Sequence, residues 1–210
     1  VAGVSEPVFI YLHGFNSSPH SWKARCLRME FERRGRPGQL RVPALSHWPA
    51  VAIEQAEAEI AAANGPVTLI GSSLGGYYST WLVEHNPALR AVLINPAVYP
   101  HRLLRQWLGQ NSNLHSGAPY QLTERHLEQL LALQCAQLRD PSRYLLLVQT
   151  GDATLDYREA VARYAGAAHF VQPGGSHGFD QFAALIPAIR AFAEGSVALP
   201  EPVALPLTPP

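Results

Sequence analysis

Short runs of Val, Ile and Leu alternate along the chain with segments whose apolar residues recur every three or four positions. "PVFIYL" (7–12) is an unbroken apolar run, the pattern of a strand buried on both faces. "SPHSWKARCLRMEFERRG" (18–35) predicts a helix with Ser18 as N-cap and Pro19 at its first position. "QLRVPAL" (39–45) predicts a second strand, and "AVAIEQAEAEIAAANG" (50–65) an amphipathic helix stopped by Asn64-Gly65. Strand 66–71, helix 74–86, strands 89–95 and 143–150, helix 156–166, strand 168–172 and helix 179–195 complete the series. Such alternation implies an α/β domain: a mostly parallel sheet of about six strands with helices on both faces.

Two stretches depart from the alternation. Segment 96–142 carries two helical patterns, "PHRLLRQWLGQN" and "LTERHLEQLLALQ", around a polar loop. It is expected to form a small helical cap inserted into a single domain of residues 1–195. The remainder, 196–210, is Pro-rich and repeats "VALP", which predicts an extended, poorly ordered tail.

Composition narrows the function. Acidic and basic residues cancel at 16 each, which gives no basic field for nucleic acid or an anionic membrane. Among the 16 basic residues Lys23 is the sole lysine, which reads as compositional bias. Cys26 and Cys135 fit no metal spacing and are expected as free thiols of a reducing compartment. The N-terminal stretch lacks a secretory leader's basic and long apolar regions, and no apolar run approaches the roughly 20 residues that span a bilayer. A cytoplasmic protein is expected, with its oligomeric state left open.

The chemistry lies in "LIGSSLGGYY" (69–78). Gly-x-Ser-x-Gly fits one register, Gly71-Ser72-Ser73-Leu74-Gly75, because a nucleophile at Ser72 would need glycines in place of Ile70 and Leu74. Ser73 is therefore the candidate nucleophile, on a tight strand-to-helix turn whose crowding explains the glycines. A serine nucleophile needs a base and an acid to orient it. The active ends of a parallel sheet are the C-terminal ends of its strands. Of the four aspartates, Asp140 precedes its strand and Asp180 follows the best histidine. Asp152, directly after strand 143–150, is the preferred acid. Asp156 is the runner-up, read first as a helix N-cap. His177, in "PGGSHGF" after the last strand, is the candidate base, whereas His13 and His169 read as structural. The loop "YLHGFNSS" would supply one oxyanion N–H from Phe15, with Leu74 supplying the other. Leu104 and Trp107, three apart on the first cap helix, are candidate walls of an acyl site. No metal-binding or cofactor motif is present.

With these pieces in place, the chain resembles the YqiA/YcfP group of bacterial esterases of the α/β-hydrolase fold. The matching stretches are "YLHGFNSSPHSWKA", "GSSLGGYYSTWL", "INPAVYPHRLL", "LGQN", "QTGDATLDYREAV" and "GGSHGF", from residue 11 to about 183. The resemblance implies Ser73 as nucleophile, Asp152 as acid, His177 as base, and hydrolysis of carboxylic esters. It implies a small-molecule acyl substrate and assigns the Pro-rich tail no role. The leading expectation is a serine carboxylesterase without a cofactor. The alternatives are an acyl-CoA thioesterase and, in another class, a non-catalytic binding protein on a hydrolase fold.

Overall fold

In a computed structural model, the structure describes residues 5–209; the start of the N-terminal stretch, residues 1–4, lies outside them. Six parallel strands form one sheet in the order β2-β1-β3-β4-β7-β8. They are β1 (Val8–Leu12), β2 (Leu40–Arg41), β3 (Val67–Ser72), β4 (Arg90–Ile94), β7 (Tyr144–Gln149) and β8 (Ala168–Gln172). Two further strands, β5 (Gly109–Ser112) and β6 (Pro119–Leu122), pair separately as an antiparallel hairpin. The larger helices are α1 (Trp22–Arg33), α2 (Pro49–Ala61), α3 (Leu74–His85), α5 (Glu124–Ala132), α6 (Tyr157–Arg163) and α7 (Ile186–Ala193), with a single turn, α4, at Pro100–Leu103.

Strand pleating divides the core. Phe9, Tyr11, Ile70, Val92 and Leu147 pack against Ala24, Leu27 and Phe31 of α1 and Ile189 and Phe192 of α7. Ile10, Leu12, Leu69, Leu93 and Leu146 pack on the opposite face with residues of α2, α3, α5 and α6. Both faces are covered, so the strands read as continuous apolar runs. The mostly parallel sheet is the one expected from the alternation, and its arrangement is the α/β-hydrolase fold that the resemblance implies. Among the described residues no helix is long and apolar enough to cross a membrane.

Five stretches differ from their sequence patterns. The first helix begins at Trp22, with Ser21 in the N-cap position, because the Ser18 hydroxyl accepts from the His20 N–H and keeps 18–21 in a turn. The edge strand β2 is two residues long and stops before Pro43, which lacks the N–H to continue a ladder. The last helical segment is broken by left-handed residues at Phe179 and Gln181 and becomes a regular helix only at Ile186.

The largest difference is in 96–142, where α4 tightens into a 3-10 turn at Leu104–Trp107 and the polar segment forms the β5–β6 hairpin instead of a loop. Asn113 shapes its turn by accepting from the N–H groups of His115 and Ser116. The C-terminal tail is also ordered against the domain. Leu205 N–H donates to Pro173 O at 2.8 Å, Gly175 N–H donates to Pro206 O at 3.0 Å, and the Thr208 hydroxyl donates to Asp180. Its prolines disfavour helix, and the polar groups of Val203 to Thr208 pair with the end of β8 and the loop after it.

Candidate active site

Strand β3 delivers its last residues into a turn so tight that glycine is required on each side of Ser73. A Cβ at Gly75 would lie 1.9 Å from the Leu12 carbonyl oxygen, and one at Gly71 would lie 2.4 Å from Gly75 O. Ser73 itself has φ 54° and ψ −117°, a conformation that costs an L-residue on the order of 1–3 kcal/mol. The turn is held by Ser73 N–H donating to Ile94 O and by Ser73 O accepting from the N–H groups of Gly76 and Ala97. The result is a half-buried Ser73 at the N-terminus of α3, while Ser72 is buried.

Asp152 follows β7 and His177 follows β8, so both come from strand ends on Ser73's side of the sheet. The two side chains meet at 2.8 Å between His177 Nδ1 and Asp152 Oδ2. A carboxylate only accepts, so Nδ1 donates, and Nε2 is the acceptor nitrogen of the neutral imidazole. The Asp152 side chain is only 2% exposed, yet it is well satisfied. Its Oδ1 accepts from the backbone N–H groups of Thr154 and Leu155 at 2.8 and 2.9 Å. Ser73, His177 and Asp152 thus have the spatial arrangement of a serine-hydrolase triad.

The other aspartates are occupied elsewhere. Asp156 caps α6 through Arg158 N–H, and the Arg158 side chain holds its carboxyl below the usual carboxylate range. Asp140 caps the turn before β7, and Asp180 accepts from Ser176 and Thr208. His13 is buried and accepts from Leu45 N–H; burial pushes its pKa down. His169 bonds the Tyr164 carbonyl.

Two buried amides secure the histidine loop. Asn95, at the end of β4, donates from Nδ2 to the carbonyls of Ser176 and His177 and accepts from Gln149 N–H. The Gln149 Oε1 accepts from the N–H groups of Ser176 and Asp180, and its Nε2 donates to Gln172 Oε1 and Asp180 O. Sequence reading missed both. The available signal was an amide at the C-terminal end of an otherwise apolar strand, where a side chain meets loops rather than core.

Beside Ser73 lies a cavity of about 230 Å³. It is lined by Gly14, Phe15, Leu45, Leu74 and Tyr78, and by Ala118 and Tyr120 of the hairpin. The hairpin is anchored over the 13–18 loop: Leu114 N–H donates to Asn16 O, Asn113 Nδ2 to Ser17 O, and the Tyr120 hydroxyl to Asn16 Oδ1. His47 also lines the cavity, stacked on Tyr120 at 4.3 Å and bonded through Nδ1 to His126 Nε2 at 2.9 Å. Leu104 and Trp107 do not line it. Helix α5 packs on their turn and takes Leu104 into the core at 5% exposure, and Trp107, at the far end, is 53% exposed. The pair expected to wall an acyl site is thus a core residue and a surface residue.

Comparison with known proteins agrees with this architecture. Alpha/beta hydrolase domain-containing protein 10 from mouse superposes with a TM-score of 0.66 at 14% identity, covering 92% of this chain and 90% of the mouse chain. Est1E from Butyrivibrio proteoclasticus gives 0.64 at 14% identity over 90% and 87% of the two chains. The esterase domain of a Rhodothermus marinus protein gives 0.64 at 17% identity over 94% and 90%. At these identities the likeness is one of fold. Residues 8–194 match the model of an uncharacterised protein family, UPF0227, and the chain belongs to that family.

Proposed function

We propose that the protein is a serine carboxylesterase acting on small acyl esters through an acyl-enzyme. The observation that carries this reading is the Asp152–His177 hydrogen bond, which commits Nδ1 to the carboxylate and so makes Nε2 the nitrogen free to act as base toward Ser73. His177 Nε2 takes the Ser73 proton as Oγ attacks the acyl carbonyl, and Asp152 orients the imidazolium that forms. The N–H groups of Phe15 and Leu74 then receive the oxyanion. The intermediate collapses with the proton passing from His177 to the leaving alcohol, and water, activated by the same nitrogen, releases the acid.

The cavity volume, about 230 Å³, is smaller than the roughly 300 Å³ at which drug-sized sites begin, which favours a short acyl group. The sequence resemblance to the YqiA/YcfP esterases supports the same chemistry. Both cysteines are free thiols, as a cytoplasmic location would keep them. A fluorophosphonate probe should label Ser73, and Ser73→Ala should abolish turnover of p-nitrophenyl acetate and butyrate while Ser72→Ala retains it. Labelling at Ser72, or undiminished turnover by Ser73→Ala, would reject the assignment.

A further inference from the structure

The chain's one lysine is not on the surface. Lys23, in the first turn of α1, is 9% exposed, and its Nζ donates to the carbonyl of Gly178 at 2.9 Å. Gly178 is the residue after His177. The other 15 basic residues are arginines. A buried ammonium costs several kcal/mol unless charge and hydrogen bonds compensate it, so this one would not persist as compositional noise.

We propose that Lys23 is a positioning residue of the triad, whose ammonium anchors the turn after His177 and balances the charge of the Asp152–His177 pair. The proposal rests on the serine-hydrolase reading above. Asp152 is the leading charge acting on Lys23, followed by Cys26 one turn along α1. The turn that Lys23 binds carries His177 and Asp180. Helix α1 also packs on Phe182–Leu185, which holds no titratable group, on β1, whose Tyr11 has its pKa pushed up to about 12 by burial, and on Pro37–Arg41, where Arg41 pairs with Glu59. Asp152 therefore acts electrostatically on two cationic groups, the Lys23 ammonium and the imidazolium that forms only during the reaction. With the ammonium present, the charge of the carboxylate is partly compensated. Without it, the uncompensated carboxylate would favour imidazolium in the resting enzyme, and the base would be blocked. Lysine suits the place better than arginine, because an ammonium is compact and a guanidinium brings five donors into a site with one carbonyl.

Burial lowers Lys23 from its ordinary 10.5 to about 8, with Asp152 opposing the shift. The ammonium then becomes a neutral amine as pH rises through about 8, its charge-assisted hold on the Gly178 carbonyl weakens, and activity falls as the turn after His177 loosens. This is not unfolding. Between about 8 and the ordinary lysine value the unfolded chain binds more protons, so this group's contribution to stability rises with pH.

The test is the pH dependence of kcat and KM on p-nitrophenyl acetate for wild type, Lys23→Met and Lys23→Arg, with thermal melting of each and fluorophosphonate labelling of wild type. The wild type should show an alkaline fall near pH 8. Lys23→Arg, which keeps its charge, should lose that fall and keep the rising limb in place. Lys23→Met should lower kcat about tenfold to hundredfold at little change in KM, the range for one charge-assisted hydrogen bond, and move the rising limb to higher pH. A folded Lys23→Met with wild-type kcat and an unmoved rising limb would overturn the proposal. An alkaline fall near pH 8 that persists in Lys23→Arg would do the same, and that variant decides alone if the Met form does not fold. Failure of wild type to label at Ser73 would overturn the hydrolase reading and this one with it.

Discussion

Replacing Gln149 by Leu tests how much of the histidine loop's hold comes from one of its two buried amides. The two residues are close in volume, so the substitution removes polar atoms while opening little space. Gln149 is 0% exposed, and its amide makes four hydrogen bonds, to Ser176 N–H, Asp180 N–H, Asp180 O and Gln172 Oε1. At about 1 kcal/mol per bond, the loss would be roughly 4 kcal/mol, with stranded N–H groups raising it and loop relaxation lowering it. For a chain of this size each kcal/mol moves Tm by about 2–4 °C, so the midpoint should fall roughly 8–16 °C. Activity should fall further than stability requires, because Ser176 and Asp180 flank His177. The assay is thermal melting with kcat and KM measured well below the variant's midpoint. KM should hold, since the cavity is walled by the 13–18 loop and the hairpin. A Tm within 2 °C of wild type together with unchanged kcat would refute the reasoning.

Asp152→Asn should cut kcat by about 10⁴, as loss of the orienting acid leaves the wrong tautomer on the base. Asp156→Ala should keep kcat and only loosen the start of α6; the reverse ranking in steady-state kinetics would exchange their roles. His126, fully buried, has its pKa pushed down to about 4, first by burial and then by His47. In the unfolded chain it titrates near the ordinary 6.5, so its contribution to stability is complete above that pH and is lost as pH falls toward 4. The Tm gap between wild type and His126→Asn should therefore narrow from pH 7 to pH 4, and a constant gap would contradict this. Leu45→Trp should lower kcat/KM for butyryl relative to acetyl esters by about tenfold, the value of two methylenes at about 0.8 kcal/mol each. Trp107→Ala should leave that ratio unchanged, and a shifted ratio would return Trp107 to the acyl site.

The nucleophile turn was readable because its constraint is local: Gly71 and Gly75 are demanded by backbone within a few residues of Ser73 and by the neighbouring strand end. Asp152 and His177 were readable because each follows an unmistakable apolar strand, and strand polarity alone puts them on one edge. What escaped depends on distant partners. "GQNSNLHSGAPYQL" has poor strand propensity, and its hairpin is anchored by Asn16 and Ser17 about a hundred residues earlier. Spacing put Leu104 and Trp107 together, but only the docking of α5 decides that one is core and the other solvent. Lys23 looked like composition because nothing near it in sequence reveals that Gly178 will be its acceptor.

The tail gives the last part of the domain a closed path. Gly175 bridges Leu207 as a parallel pair, so the chain leaves the catalytic loop, runs through α7, and returns to the point it left. Helix α7 cannot lift away while that seam is intact, and the seam cannot open without freeing the backbone next to His177. Loop, helix and tail are therefore expected to open as a single cooperative unit. In native-state hydrogen exchange, the amides of Gly175, Leu205 and the α7 interior should share one opening free energy, below that of β3 and β4. Each such opening would separate base from nucleophile while the Ser73 turn and the central sheet stayed folded.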